Sequence, residues 1–256
     1  MIIDTHCHLS KNDYNNIDDV VNEMDGYMIT SGCDDESNLE VLELISKYKN
    51  VYGTLGIHPE SLDSISDKSF EIIENNINNP KIVGIGEIGL DYHYDIDKIK
   101  QKELFIKQLD LAVKYKKPVV VHSRDSIQDT FDILKKYKLK GTIHAFSSSK
   151  EMAHEFIKLG YKIGVGGVVT FKNGRVLQDV VKNIDIKDIL LETDSPYLSP
   201  EPLRGKKNVP SNTYYVALKV AQLKNMSYEE VKNLTAANAI ELFDLKIEVW
   251  YNLYVL

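Results

Sequence analysis

The chain has 256 residues, of which 43% are hydrophobic and 27% charged, the profile of an ordinary globular protein with ample material for a core. A net charge of -7 and a pI near 5.5 exclude a protein that coats nucleic acid through a broad basic surface, although not one that captures phosphate at a local positive focus. No apolar run approaches the ~20 residues of a membrane span, no signal peptide is evident, and Cys7 and Cys33 make no disulfide framework, so a soluble protein of the reducing cytoplasm is expected.

Short apolar runs at 1–3, 27–30, 51–55, 82–85, 118–121, 142–143, 161–165 and 189–191 read as eight strands of a parallel sheet covered on both faces by helices. Helical patterns fill the intervals. Phe105, Leu109, Ala112 and Val113 fall at the spacing of a buried stripe, Ser149 is a plausible N-cap for the next helix but one, and Gly160 closes that helix. The Asn-rich joint at 75–80 is turn material, too short for a linker. Eight strand–helix units followed by a helical tail over 211–247 predict one α/β domain, a (β/α)8 TIM barrel spanning 1–247. The alternative is an open doubly wound sheet, against which no Gly-x-Gly-x-x-Gly follows the first strand. Residues 248–256 form an apolar, aromatic C-terminal tail expected to pack on the barrel or meet a partner.

In such a barrel the strand ends share one mouth, where catalytic groups gather. Asp4-Thr5-His6-Cys7-His8 ends the first strand; alternation puts His6 and His8 on one side, about 7 Å apart, and turns Cys7 away as a small buried residue. Strand three ends in His58, strand four in Glu87 and Asp91, strand five in His122-Ser123-Arg124, strand six in His144, and strand eight in Glu192-Thr193-Asp194. Five of the seven histidines therefore meet at the mouth. That composition suits two divalent cations, zinc, manganese or magnesium. His6, His8 and Glu87 would hold one, and His122, His144 and Glu87 the other, with Glu87 bridging through its two oxygens. Asp194 would complete the set and take a proton from the nucleophilic water, while Asp4 supports from behind. Glu192 has the same strand parity as Asp194, and periodicity does not choose between them. Two dications against two carboxylates leave a focus of about +2, attractive to a phosphodiester in an otherwise acidic protein.

These segments resemble the TatD family of metal-dependent deoxyribonucleases, within the amidohydrolase-like barrels. The similarity runs from Asp4-Thr5-His6-Cys7-His8-Leu9 to Asn238-Ala239-Ile240-Glu241-Leu242-Phe243. It is most specific at Gly86-Glu87-Ile88-Gly89-Leu90-Asp91-Tyr92, His122-Ser123-Arg124, Glu192-Thr193-Asp194-Ser195-Pro196-Tyr197-Leu198 and Arg204-Gly205-Lys206-Lys207-Asn208. The resemblance implies that His6, His8, Glu87, His122, His144 and Asp194 ligate two divalent cations, and it favours Asp194 over Glu192. It also implies hydrolysis of DNA phosphodiesters by a metal-activated water, mainly as an exonuclease on single strands or ends. His58 resembles the family's histidine near the scissile phosphate. Arg124 and Arg204 are placed to meet phosphates through a planar fork, Lys206 and Lys207 to attract a DNA backbone, and Tyr92 and Tyr197 to stack on bases. The chain departs from the family at Ala145 and Ser148, which bears on loop shape rather than on the ligands.

Two other functions compete. A hydrolase of a small ester, lactone, amide or aminoacyl substrate would keep the metals, but many such barrels bridge them with a carbamylated lysine where this chain has Glu87. A non-catalytic scaffold would have lost ligands. Neither a membrane nor an obligate protein partner is expected.

Overall fold

The computed structural model describes residues 1–247, so the aromatic tail at 248–256 lies outside the described residues. Strands and helices alternate: β1 (Ile2–Cys7), α1 (Ile17–Glu23), β2 (Gly26–Ser31), α2 (Asp35–Lys47), β3 (Val51–Leu55), α3 (Asp67–Asn76), β4 (Ile82–Asp91), α4 (Lys98–Tyr115), β5 (Val119–Arg124), α5 (Ile127–Leu134), β6 (Gly141–Ile143), α6 (Lys150–Lys158), β7 (Tyr161–Val165), α7 (Arg175–Asn183) and β8 (Ile189–Leu191), then α8 (Thr213–Lys224) and α9 (Tyr228–Phe243). Every strand pairs in parallel with its successor, the order of a (β/α)8 barrel and not of a doubly wound sheet.

Strand faces divide the apolar residues by parity. Ile2, Met28, Val51, Ile82, Val119 and Ile189 join the large cluster under the helices. Their neighbours Ile3, Ile29, Tyr52, Val83, Val120 and Leu190 pack with Ala239, Leu242 and Phe243 of α9, which covers one end of the barrel. The sequence pattern placed Ser149 and Gly160 correctly: the Ser149 side chain accepts from the Met152 amide, and Gly160 sits at φ +96. Val113 is 49% exposed, because the eighth position of the stripe has drifted off the core face of α4. In its place α4 buries two glutamines. Gln108 bonds both the amide and carbonyl of Ile57, and Gln101 does the same for Asp91. The ends of β3 and β4 are thus pinned by amides from one helix.

Three strands run well past their apolar runs. β1 continues through Cys7, β4 through Asp91 and β5 through Arg124. Register shifts, between Asp4 and Cys7 on β1 and between Ile85 and Ile88 on β4, flank His6 and Glu87. Such bulges re-aim side chains at the price of ladder regularity. The hydrophobic pattern misses these extensions because polar residues interrupt them, Asp4, His6, Glu87 and Asp91 buried and His122 and Ser123 half-buried.

Closure occurs at the polar segment following β8. The Asp194 amide donates to the His6 carbonyl at 3.0 Å, and the His8 amide donates to the Ser195 carbonyl at 2.7 Å. Beneath them the buried Asp4 carboxylate accepts from Thr193 N (3.0 Å), Thr193 Oγ1 (2.5 Å) and His6 N (3.2 Å). Asp4→Ala would strand those donors away from water, at about 1–3 kcal/mol each. We expect it to lower the melting temperature by roughly 5–15 °C. A shift of under a degree in thermal denaturation would contradict this role for the seam.

Candidate metal centre

The uncovered end of the barrel holds a cavity of about 970 Å³, whose lining includes His8, His58, Glu87, His122, His144 and Asp194. Every ligand proposed from the sequence comes to this one place. Glu87 stands at its centre with its two oxygens facing different imidazoles. Oε2 lies 3.4 Å from Nε2 of both His6 and His8. Oε1 lies 2.8 Å from His122 Nδ1 and 3.4 Å from His144 Nε2. Asp194 Oδ1 reaches across, 3.6 Å from His8, 3.7 Å from His6 and 3.8 Å from His144. Asp194 holds this position with φ 55, a left-handed conformation that aspartate tolerates better than most residues. The ligating atoms form three overlapping groups, each within 4.8 Å: His6-His8-Glu87, His6-His144-Asp194 and His58-Glu87-His122.

The opposite nitrogen of each ligand histidine is engaged outside the site. His8 Nδ1 lies 3.0 Å from the Ser31 carbonyl, and His6 Nδ1 lies 3.1 Å from Ser31 Oγ. His122 Nε2 lies 3.0 Å from Asp91 Oδ2, and His144 Nδ1 lies 3.1 Å from Glu192 Oε1. A carbonyl or carboxylate only accepts, so these contacts put the ring proton of His8, His122 and His144 on the outer nitrogen. Once the rings are neutral, the inner nitrogens present lone pairs to the carboxylates of Glu87 and Asp194. Lone pairs and anionic oxygens within 4 Å repel unless a cation lies among them, and this donor set fits divalent metal.

Without a metal, protons take the cation's place on two of the rings. Burial alone would raise Glu87 and Asp194, but His144 and the other imidazoles outweigh it; both sit below the ordinary carboxylate range, Glu87 far below. Burial lowers His6, with His144 beside it adding to the effect. For His122, burial is overcome by Asp91 and Glu87, and its pKa is pushed up to about 9. For His144, burial is overcome by Glu192, Glu87 and Asp194, and its pKa is pushed up to about 10.

His58 differs from the other histidines. Its Nδ1 accepts from the Glu60 amide at 3.2 Å, so its proton is on Nε2, 3.6 Å from Glu87 Oε1. That nitrogen is a donor aimed at the centre rather than a ligand. Arg124 lines the cavity, its guanidinium over the Tyr94 ring at 5.5 Å. Arg204 is outside the lining and sits over Phe171 at 4.3 Å. Lys207 bonds the Asp13 carbonyl, and Lys206 is exposed. Tyr197 is exposed and lines the cavity, whereas the Tyr92 hydroxyl donates to Asp129 at 2.7 Å in a neighbouring cleft. Cys7 is buried and turned outward, with Sγ 3.5 Å from the Ile29 carbonyl.

Ser31, Cys33 and Tyr94 carry no signal in composition. Ser31 ends β2, and its place at a strand tip is the signal that marks it. Cys33 Sγ lies 3.8 Å from both Glu87 Oε2 and His8 Nδ1. Glu192, left beside Asp194 by parity, stands behind His144 instead, in space that Gly164 leaves open: a Cβ there would lie 2.4 Å from Glu192 Oε2.

A family model described as TatD related DNase matches residues 3–244. The chain is 37% identical over 252 residues to the uncharacterized metal-dependent hydrolase YabD of Bacillus subtilis, covering 95% of this chain and 99% of YabD. It is 38% identical over 256 residues to an uncharacterized metal-dependent hydrolase of Buchnera aphidicola, covering 95% and 96%. The crystal structure of YjjV, a TatD homologue from Escherichia coli, superposes with a TM-score of 0.88 at 31% identity, over 95% of this chain and 98% of that one.

Protonated His122 and His144 stabilise the metal-free fold fully below the unfolded-state value near 6.5. That stabilisation is lost as pH rises through about 9 and about 10. Metal needs the deprotonated rings, so its stabilisation grows over the same window. The gap in melting temperature between manganese-loaded and chelator-treated protein is therefore expected to widen from about pH 6.5 to 10. A constant or narrowing gap would contradict the assignment.

Proposed function

The chain belongs to the TatD family of metal-dependent hydrolases, and we propose that the bond it hydrolyses is the DNA phosphodiester. The observation that carries this reading is Glu87 with one oxygen toward His6 and His8 and the other toward His122 and His144, on the floor of an open cavity. Two divalent cations held there would supply positive charge and Lewis acidity to water and phosphate. The description of the matching family model as a DNase supports the same substrate.

The chain's own groups then divide the work. Asp194, ionised and facing both imidazole pairs, accepts the proton of the attacking water. His58 donates its Nε2 hydrogen to a non-bridging phosphate oxygen, where charge grows during in-line displacement. Arg124 pairs with the phosphate, held over the cavity by the Tyr94 ring. Arg204 and Lys206 lie at the periphery, suited to backbone attraction rather than to the scissile group.

Tyr94, Val176, Tyr197 and Leu198 line this same cavity and are each more than 40% exposed, which favours unpaired bases and hence single strands or ends. With Cys7 and Cys33 both free thiols, we assign the activity to the cytoplasm. Among the described residues no helix is long and apolar enough to cross a membrane.

End-labelled single-stranded DNA, incubated with protein loaded with magnesium, manganese or zinc, is expected to be shortened. Asp194→Asn should lower kcat by roughly 10²–10⁴-fold. His58→Ala should lower kcat by roughly 10²–10³-fold with metal content unchanged. Folded, metal-loaded protein that leaves DNA intact but cleaves a small ester, lactone or amide would replace this reading with the alternative one.

A further inference from the structure

The two imidazole pairs that Glu87 separates have outer partners of different charge. On the Oε2 side the outer partners are uncharged: Ser31 Oγ for His6, and for His8 the Ser31 carbonyl with the half-buried Cys33 thiol at 3.8 Å, which desolvation keeps protonated. On the Oε1 side, each ring has its own carboxylate, Asp91 for His122 and Glu192 for His144. Both carboxylates are fully buried. Asp91 is fixed through its backbone by Gln101, and its Oδ1 accepts from the His93 amide at 2.8 Å. Glu192 Oε1 also accepts from the Ala145 amide at 2.6 Å, so neither carboxylate can swing away from its ring.

A carboxylate behind an imidazole makes it a stronger donor and adds negative charge near the cation; a hydroxyl or carbonyl mainly orients the ring. Asp194 is one carboxylate that reaches both positions, His6 and His8 on one side and His144 on the other, whereas Asp91 and Glu192 are two that serve the His122 and His144 position alone.

We propose that the two cation positions are unequal. The one at His122 and His144 fills first and retains its ion, and the one at His6 and His8 fills second and exchanges. Asp91 and Glu192 are the positioning residues that set this order. The inference rests on the two-cation reading above. It makes the chain a protein whose second ion, and therefore its activity, follows the free divalent concentration while the first remains in place.

Titrating the metal-free full-length chain with manganese, followed by calorimetry and electron paramagnetic resonance, tests it. The first equivalent is expected to give a mononuclear spectrum and the second an exchange-coupled one, with affinities differing at least about tenfold. Asp91→Asn and Glu192→Gln, which keep side-chain volume, should each weaken the first step by roughly 10–100-fold and leave the second unchanged. Ser31→Ala should weaken only the second. Circular dichroism confirms the fold of each variant, and if one fails to fold the other carries the same test. A coupled spectrum below one equivalent, equal affinities, or carboxylate variants that weaken only the second step would overturn the order while leaving two cations in place. Uptake of fewer than two ions would overturn the two-cation reading on which the order rests.

Discussion

An imidazole ring has two nitrogens and, when neutral, one proton, so four rings can turn lone pairs toward a common centre only if their other nitrogens have acceptors outside it. That constraint organises the mouth of this barrel. Ser31, Asp91 and Glu192 supply the outer acceptors, and each is held by its own strand end. With the rings so aimed, Glu87 and Asp194 face their inner nitrogens at 2.8–3.8 Å, an arrangement that protons relieve in the metal-free protein and a divalent cation relieves when bound. His58 is the exception that separates the roles. Its outer nitrogen meets a donor rather than an acceptor, which reverses the ring and turns an N–H toward the cavity.

Holding these groups requires that strand ends behave as rigid structure. The chain achieves this with buried amides. Gln101 and Gln108 of α4 clamp the ends of β4 and β3, Asn38 of α2 bonds both the amide and the carbonyl of Gly56, and Asn208 bonds the carbonyls of Thr193 and Tyr197. The seam between β1 and the segment after β8 is built from the same residues that carry the ligands, so closing the barrel and assembling the site are one event. Asp4 and Thr193 therefore hold the seam and the position of the proposed ligands together.

Much of this was legible in the amino acids. Eight apolar runs gave eight strands, and histidines and carboxylates that followed those runs converged once the strands shared a mouth. Alternation put Cys7 opposite His6 and His8, as the structure has it. The remainder was hidden because it depends on polar residues in unexpected places. The apolar stripe of α4 says nothing of Gln101 and Gln108, and only the barrel reveals that both are buried while Val113 is exposed. Glu192 and Asp194 share a parity, and what separates them is the left-handed turn at Asp194, which no periodicity records. Tyr92 and Arg204 lie in recognisable motifs but face Asp129 and Phe171 respectively, contacts set by loop paths rather than by residue type.

The central claim is that Glu87 bridges two divalent cations. Anomalous diffraction at the manganese edge, from crystals of the full chain equilibrated with manganese, tests it most directly. Two peaks flanking the Glu87 carboxylate are expected, one within about 2.0–2.3 Å of the inner nitrogens of His6 and His8 and the other within that distance of His122 Nδ1 and His144 Nε2. A single peak, or any peak that places Glu87 on one ion alone, would contradict it.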